Sequence, residues 1–269
     1  LKTLLIDGDM LVHRSTVAVE KDTRFLDRYH ILFSDAESAW NVLMETLGEL
    51  QDSSGTSEVL VAFSDPEENF RKGLVGGDYK SHRAGSRKPL AYWETRRRVE
   101  EGFSTICYPT LEADDVMGVL MTEHPGDFVL WSLDKDLKQI PGYHLVDDEV
   151  IKRPLSECDL FFYLQTLAGD VTDGYTGCPG IGKDRAEKYL RENLRVTPVS
   201  HELKSGPRKG QVETRWDEGL ASSPWDTVVS LYQKAGLGEE DALLNARMAR
   251  ILRTEDYVNG EIVLWTPNA

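Results

Sequence analysis

The chain has little of several things, and each scarcity excludes something. It carries only three cysteines in 269 residues, Cys107, Cys158 and Cys178, widely spaced and odd in number. That pattern frames neither a disulfide scaffold nor a zinc site, and it suits a reducing cytoplasm. No apolar run approaches the ~20 residues that cross a bilayer, so no membrane role is expected. The first residues read as a core strand, with no secretory h-region. No internal repeat is visible. Basic charge is also scarce: 31 Lys and Arg stand against 46 Asp and Glu, for a net charge of −15. A general nucleic-acid binder is not built that way.

The average hides a reversal. Between residues 71 and 98 stand Arg71, Lys72, Lys80, Arg83, Arg87, Lys88, Arg96, Arg97 and Arg98 against Asp78 and Glu94, a local net charge of +7. Phe70, Tyr79 and Tyr92 are interspersed. Cations interleaved with aromatics suit a single strand or a frayed end, where bases stack and phosphates pair. The alternative is a solvated helix face.

Acids are crowded where an ordinary surface would spread them. Leu111-Glu112-Ala113-Asp114-Asp115 puts three carboxylates in four residues, just ahead of the apolar helical positions Val116, Val119 and Leu120. At about 5 Å and an effective dielectric of about 20, each like-charged pair repels by roughly 3 kcal/mol. A divalent cation would neutralise them. Asp7 ends the apolar run Leu4-Leu5-Ile6, Asp65 follows Val59 to Phe63, and Asp134 and Asp136 follow Phe128 to Trp131. These positions sit at the C-terminal ends of expected buried strands, the edge where open parallel sheets bind ligands. Asp170 and Asp173 lie in Gly169-Asp170-Val171-Thr172-Asp173-Gly174. Hard cations such as Mg²⁺ take oxygen ligands, and two together can activate a water and stabilise a leaving oxygen. Asp9, Asp147, Asp148 and Asp184 read as caps or turns.

The periodicity predicts strands over 3–6, 58–63, 104–108, 127–132 and 142–146, with helices over 36–51, 94–102 and 112–123. Alternation of this kind argues a mostly parallel sheet with helices on both faces, a three-layer α/β/α fold. Residues 1–152 form this core, with a basic insertion over about 66–98. Residues 153–269 read as a helical C-terminal region. Within it, 160–192 is expected to form a helix-hairpin-helix around Gly177-Cys178-Pro179-Gly180-Ile181-Gly182-Lys183. Such glycines let backbone N–H groups approach a phosphate, and the second helix adds its positive end. Residues 195–215, with Lys204, Arg208, Lys209 and Arg215, read as a long hairpin or a flexible loop. A last helix is expected over 240–253, with Leu243, Leu244, Met248, Ile251 and Leu252 inward. The tail from Ile262 to Trp265 reads as a terminal strand.

In order along residues 3–192, these motifs resemble the 5′ nuclease family of flap endonucleases, polymerase 5′-nuclease domains and phage 5′–3′ exonucleases. The motifs are Leu-Ile-Asp7-Gly, Phe63-Ser-Asp65, Tyr79-Lys80-x-x-Arg83, Glu112-Ala-Asp114-Asp115, Ser132-Leu-Asp134-Lys-Asp136, Gly169-Asp170-x-x-Asp173 and Gly177-x-Pro-Gly-Ile-Gly182. Leu244 to Leu252 and the basic stretch 203–209 look most like the short phage exonucleases. The resemblance implies a PIN-like core. It implies a metal-dependent 5′–3′ exonuclease acting on duplex, nicked or flapped DNA, with RNA primers in hybrids as a further substrate. Two Mg²⁺ ions are implied, Mn²⁺ substituting. Asp7, Asp65, Glu112, Asp114 and Asp115 would hold the first, and Asp134, Asp136, Asp170 and Asp173 would complete the second. Lys80 and Arg83 would match the catalytic cations at the base of the helical arch, although 66–92 is short for a full arch. Arg71, Lys72, Gly177, Gly180, Ile181, Gly182 and Lys183 would hold DNA, with K⁺ at the hairpin. A monomer acting in host cytoplasm is expected. Two other readings account for part of the sequence. One is a phosphatase of the haloacid-dehalogenase type, suggested by Asp7-Gly-Asp9. The other is a non-catalytic DNA-binding protein on a nuclease scaffold.

Overall fold

The computed structural model describes residues 2–26, 28–75, 79–80 and 85–267. The chain forms two compact units. The first comprises Leu1–Gly73, His82–Leu155 and Ile251–Val263, and the second Leu74–Ser81, Ser156–Arg250 and Leu264–Ala269.

In the first unit, β1 (Thr3–Asp7) runs directly into α1 (Gly8–Val19), a helix the hydrophobic pattern does not reveal. A hairpin of β2 (Lys21–Phe25) and β3 (Tyr29–Phe33) follows, then α2 (Ala36–Ser54) and β4 (Glu58–Ala62). Next come the short α3 (Arg71–Val75), which ends in the second unit, then α4 (Tyr92–Gly102), β5 (Ser104–Ile106), α5 (Ala113–Glu123) and β6 (Phe128–Trp131). The unit's sheet is completed by β7 (Gly142–Val146) and β8 (Glu149–Arg153). The strand order is β5-β4-β1-β6-β7-β8, parallel except for the last pair.

The pleat explains the layers. Successive strand residues face opposite ways. Leu4 and Ile6 join Leu11 and Val12 of α1, Leu43 and Leu47 of α2, and Tyr92 and Val99 of α4. Leu5 faces the other side, with Leu130 and with Val116, Met117 and Leu120 of α5. Ile251 and Leu252 are buried in that same second core. They do not continue the last helix. That helix stops at Ala249 because Arg250 is extended, so the two residues reach the core as open chain.

The second unit contains α6 (Leu155–Ala168, from Ser156 onward), α7 (Lys183–Arg191), the hairpin β9 (Leu194–Glu202) and β10 (Val212–Leu220), α8 (Pro224–Lys234) and α9 (Glu239–Ala249). Phe162, Leu167, Ile181, Tyr189, Leu190, Val196, Trp225 and Tyr232 share its core. Trp265 packs edge-on to Phe162 and Trp225 here, instead of lying in a terminal strand. Leu244 is exposed, contrary to the inward position its spacing suggests.

Candidate active site

The first unit gathers its acids at the C-terminal edge of its parallel strands. Asp7 is the last residue of β1, Asp65 follows β4, Glu112 precedes α5, and Asp134 follows β6. Asp7 is buried and serves as the N-cap of α1, accepting from the Met10 N–H at 2.9 Å. Its other oxygen accepts from the Ser132 hydroxyl at 2.8 Å, and that hydroxyl accepts in turn from the Asp134 N–H. Gly8 makes this turn possible. A Cβ there would meet Phe63 at 2.6 Å and the Ala62 carbonyl at 2.8 Å, so the strand could not pass so directly into the helix. Burial pushes the Asp7 carboxyl up to about 6. The charges of Asp9 and Asp134 add to that rise, against the Met10 N–H and the Ser132 hydroxyl.

Asp9 is more than the cap or turn its spacing suggests. It accepts from the Tyr92 hydroxyl at 2.7 Å and from the Ser64 N–H at 2.9 Å, and Arg96 stands 3.8 Å away. The only signal in the sequence was its two-residue spacing from Asp7. Asp65 accepts from the N–H groups of Thr110, Glu67 and Glu68. These hold its carboxyl below the usual carboxylate range. Asp134 caps a 3₁₀ turn by accepting from the Asp136 N–H. Glu112 and Asp114 stand half-buried at the start of α5.

Asp115 departs from its expected role as a metal ligand. It is fully buried, and Arg71 grips it with two hydrogen bonds of 2.7 and 2.8 Å. The N–H groups of Leu252 and Glu112 occupy its oxygens further. Arg71 departs with it: expected to contact DNA, it is itself buried and also reaches Glu112 at 3.2 Å. The crowding at 112–115 is thus relieved in part by a guanidinium from 44 residues upstream.

The other described arginines of the basic stretch are similarly committed. Arg96 pairs with Glu100, Arg97 with Glu94 and Glu101, Arg98 with Glu37 and Glu94, and Arg87 with Glu20. The local +7 is therefore largely spent on acids of the same unit. Lys72 is exposed. Arg83 lies outside the described residues.

In the second unit, Asp170 and Tyr175 bridge back to back, and the Asp170 side chain accepts from Thr172. Tyr79 is buried beside Tyr175, Met248 and Ala249. That anchor leaves Lys80 with its Nζ 3.6 Å from Asp173. The glycine turn divides into two kinds of residue. Gly177 is buried in the left-handed region (φ 67°), and a Cβ there would sit 2.4 Å from the Gly169 nitrogen. Its N–H donates to Asn245. Ile181 is a core residue. Both are buried, so both depart from the expected DNA-contacting set. Gly180, Gly182 and Lys183 are exposed. Gly182 is the N-cap of α7 with no side-chain cap, which leaves the helix's first N–H groups without a side-chain acceptor there.

Residues 2–154 match the family model described as the 5′–3′ exonuclease N-terminal resolvase-like domain. The chain belongs to the 5′–3′ exonuclease family. Across 99% of its length it is 35% identical to the exodeoxyribonuclease of Enterobacteria phage T3, covering 93% of that protein. It is 34% identical to the exonuclease of Escherichia phage T7, with 98% and 93% covered. Among solved structures, the bacteriophage T5 D15 flap endonuclease in a pseudo-enzyme-product complex with DNA and metal ions shares the fold. The TM-score is 0.61 at 17% identity, over 93% of this chain and 89% of that one. Family membership makes this chain a nuclease and sets aside the phosphatase reading of Asp7-Gly-Asp9.

Oxygen-only donors at one sheet edge fit a hard divalent cation in kind. Among the described residues, no three His, Cys, Asp or Glu side chains stand close enough together to hold a metal ion. Each of Asp7, Asp65 and Asp134 is turned to N–H or hydroxyl donors of the protein instead. The burial of Asp7 with two further carboxylates bearing on it is the feature that a cation would relieve.

Proposed function

We propose that this exonuclease hydrolyses phosphodiester bonds at the 5′ ends of duplex, nicked or flapped DNA, with Mg²⁺ as its working cation and Mn²⁺ as a substitute. The observation that carries this reading is Asp7. It is a buried carboxyl at the end of a central parallel strand, with Asp9 and Asp134 acting on it electrostatically. Asp7, Asp65, Glu112, Asp114, Asp134 and Asp136 are the proposed ligands in the first unit, without Asp115. When bound, the metal supplies an activated water and charge stabilisation at the leaving oxygen.

The chain's own groups have distinct parts. Ser132 orients Asp7 and fixes the Asp134 backbone through one hydroxyl. Tyr92 and Arg96 hold Asp9. Asp170 and Asp173 are proposed as further ligands, with Lys80 beside Asp173 as the cation that meets a phosphate. A compact ammonium suits that task. Gly180, Gly182 and Lys183 are proposed to take the duplex backbone at the α7 N-terminus, with K⁺ there. RNA in a hybrid is a proposed further substrate, and the working form is proposed to be a monomer in host cytoplasm.

Side-by-side digestion of 5′- and 3′-labelled duplex, nicked and flapped DNA tests this. Early label release from the 5′-labelled strands is expected. Early release from the 3′ end would contradict it.

A further inference from the structure

The β9–β10 hairpin carries charge that the proposed hydrolysis does not use. Only its base is buried. Val196 lies in the second unit's core, with its N–H donating to the Ser230 hydroxyl, and Trp216 packs alongside. Beyond that, Thr197, Val199, Ser200 and Glu202 on one strand and Val212, Thr214 and Arg215 on the other are exposed. A bare two-stranded ribbon contributes little to stability on its own. Its tip is nevertheless well built. The Leu203 N–H donates to the Gln211 carbonyl, the Gly210 N–H donates back to the Leu203 carbonyl, and turns close at Gly206 to Lys209 and Arg208 to Gln211.

That tip holds Lys204, Arg208 and Lys209 and no acid between residues 203 and 211. All three are exposed, and among the described residues none is paired with a carboxylate. The contrast with Arg71, Arg87, Arg96, Arg97 and Arg98, each neutralised within the first unit, is direct. In a chain of net charge −15, three uncompensated cations on a projecting ribbon are placed for a polyanion.

We propose that Lys204, Arg208 and Lys209 form a second contact for the phosphate backbone of duplex DNA, separate from the glycine turn before α7. The hairpin starts just after α7 ends. Nine residues per strand at about 3.3 Å each carry the tip about 30 Å from that base. This equals roughly nine base pairs of duplex at 3.4 Å each. Backbone contacts of this kind fix position without reading sequence. The tip therefore lengthens the duplex the enzyme grips, and matters only when the duplex is long enough to reach it.

The inference rests on the reading of the chain as a DNA-cutting enzyme. It is tested by binding in excess chelator, comparing duplexes of about 8 and about 30 base pairs over a range of salt. The full-length triple variant Lys204→Ala, Arg208→Ala, Lys209→Ala should bind the long duplex about tenfold more weakly. Its slope of log affinity against log salt should fall by two to three, at about 0.9 per lost phosphate contact. Binding of the short duplex should stay as in the wild type. The charge-keeping triple variant Lys204→Arg, Arg208→Lys, Lys209→Arg should restore long-duplex binding. Equal affinities and slopes in wild type and alanine variant would overturn the inference while leaving the hydrolysis reading intact. So would an equal loss on both lengths, or failure of the charge-keeping variant to rescue. A wild type that binds neither duplex would overturn both.

Discussion

Two acids, Asp134 and Asp115, separate chemistry from folding at the residue scale. Asp134→Asn should cut the single-turnover rate by about 10² or more while DNA affinity holds or rises, because a proposed metal ligand is lost and phosphate repulsion is relieved. Asp115→Asn should act on stability. It leaves the buried Arg71 guanidinium short of its counter-charge, and breaking such a pair costs about 3–5 kcal/mol. Denaturant midpoints with rates on both variants check this, and a stable, inactive Asp115→Asn would return that residue to the metal site. Lys80→Ala, beside Asp173, should lower the maximal single-turnover rate by about 10². An unchanged maximal rate would leave it a binding residue only. His144 gives a pH signature apart from the site. It is buried, donates from Nε2 to the Ile140 carbonyl, and burial lowers its pKa to about 4. The native imidazole is thus neutral where the unfolded one, near 6.5, takes a proton. Stability from this group is full above about pH 6.5 and is lost as pH falls toward 4, by about 3 kcal/mol. Urea midpoints of wild type and His144→Gln should converge at acid pH if this holds; parallel pH profiles would refute it.

At the scale of elements, the glycine turn before α7 makes the sharpest test. Gly182 has φ −87° and open space where a Cβ would go. Gly182→Val should therefore leave the thermal midpoint nearly unchanged and weaken duplex binding, since the new side chain obstructs only an external partner. Gly177→Ala should instead lower the midpoint, because its φ of 67° and its contact with Gly169 leave no room. If Gly182→Val bound duplex normally, the turn would be a structural joint alone. The five strands with strong apolar runs were legible because buried parallel strands and amphipathic helices impose period on sequence. The helix α1 was not, because Asp7 and Gly8 start it inside what reads as the end of a strand. Arg71 and Asp115 were illegible as a pair because 44 residues separate them and no local spacing links them. Asp9 was hidden for the same reason, its partners Ser64, Tyr92 and Arg96 all lying on later elements. The acid motifs stood out because like charges crowd only where a counter-charge meets them, and for Asp115 that counter-charge is the internal Arg71.

For the whole molecule, the net charge of −15 sets the problem. An acidic protein that acts on a polyanion must confine attraction to a few places and admit cations at the reacting centre. Most arginines of the basic stretch are consumed in ion pairs within the first unit, so local charge counting overstated its pull on DNA. What stays uncompensated in the acid set is the burden on Asp7 from burial, Asp9 and Asp134. The measurement that bears most directly on this account is nucleotide release from 5′-labelled duplex across a Mg²⁺ titration, with and without excess chelator. Release should be absent without divalent cation, rise with Mg²⁺ or Mn²⁺, and vanish again when chelator is added. Undiminished release in excess chelator would contradict it.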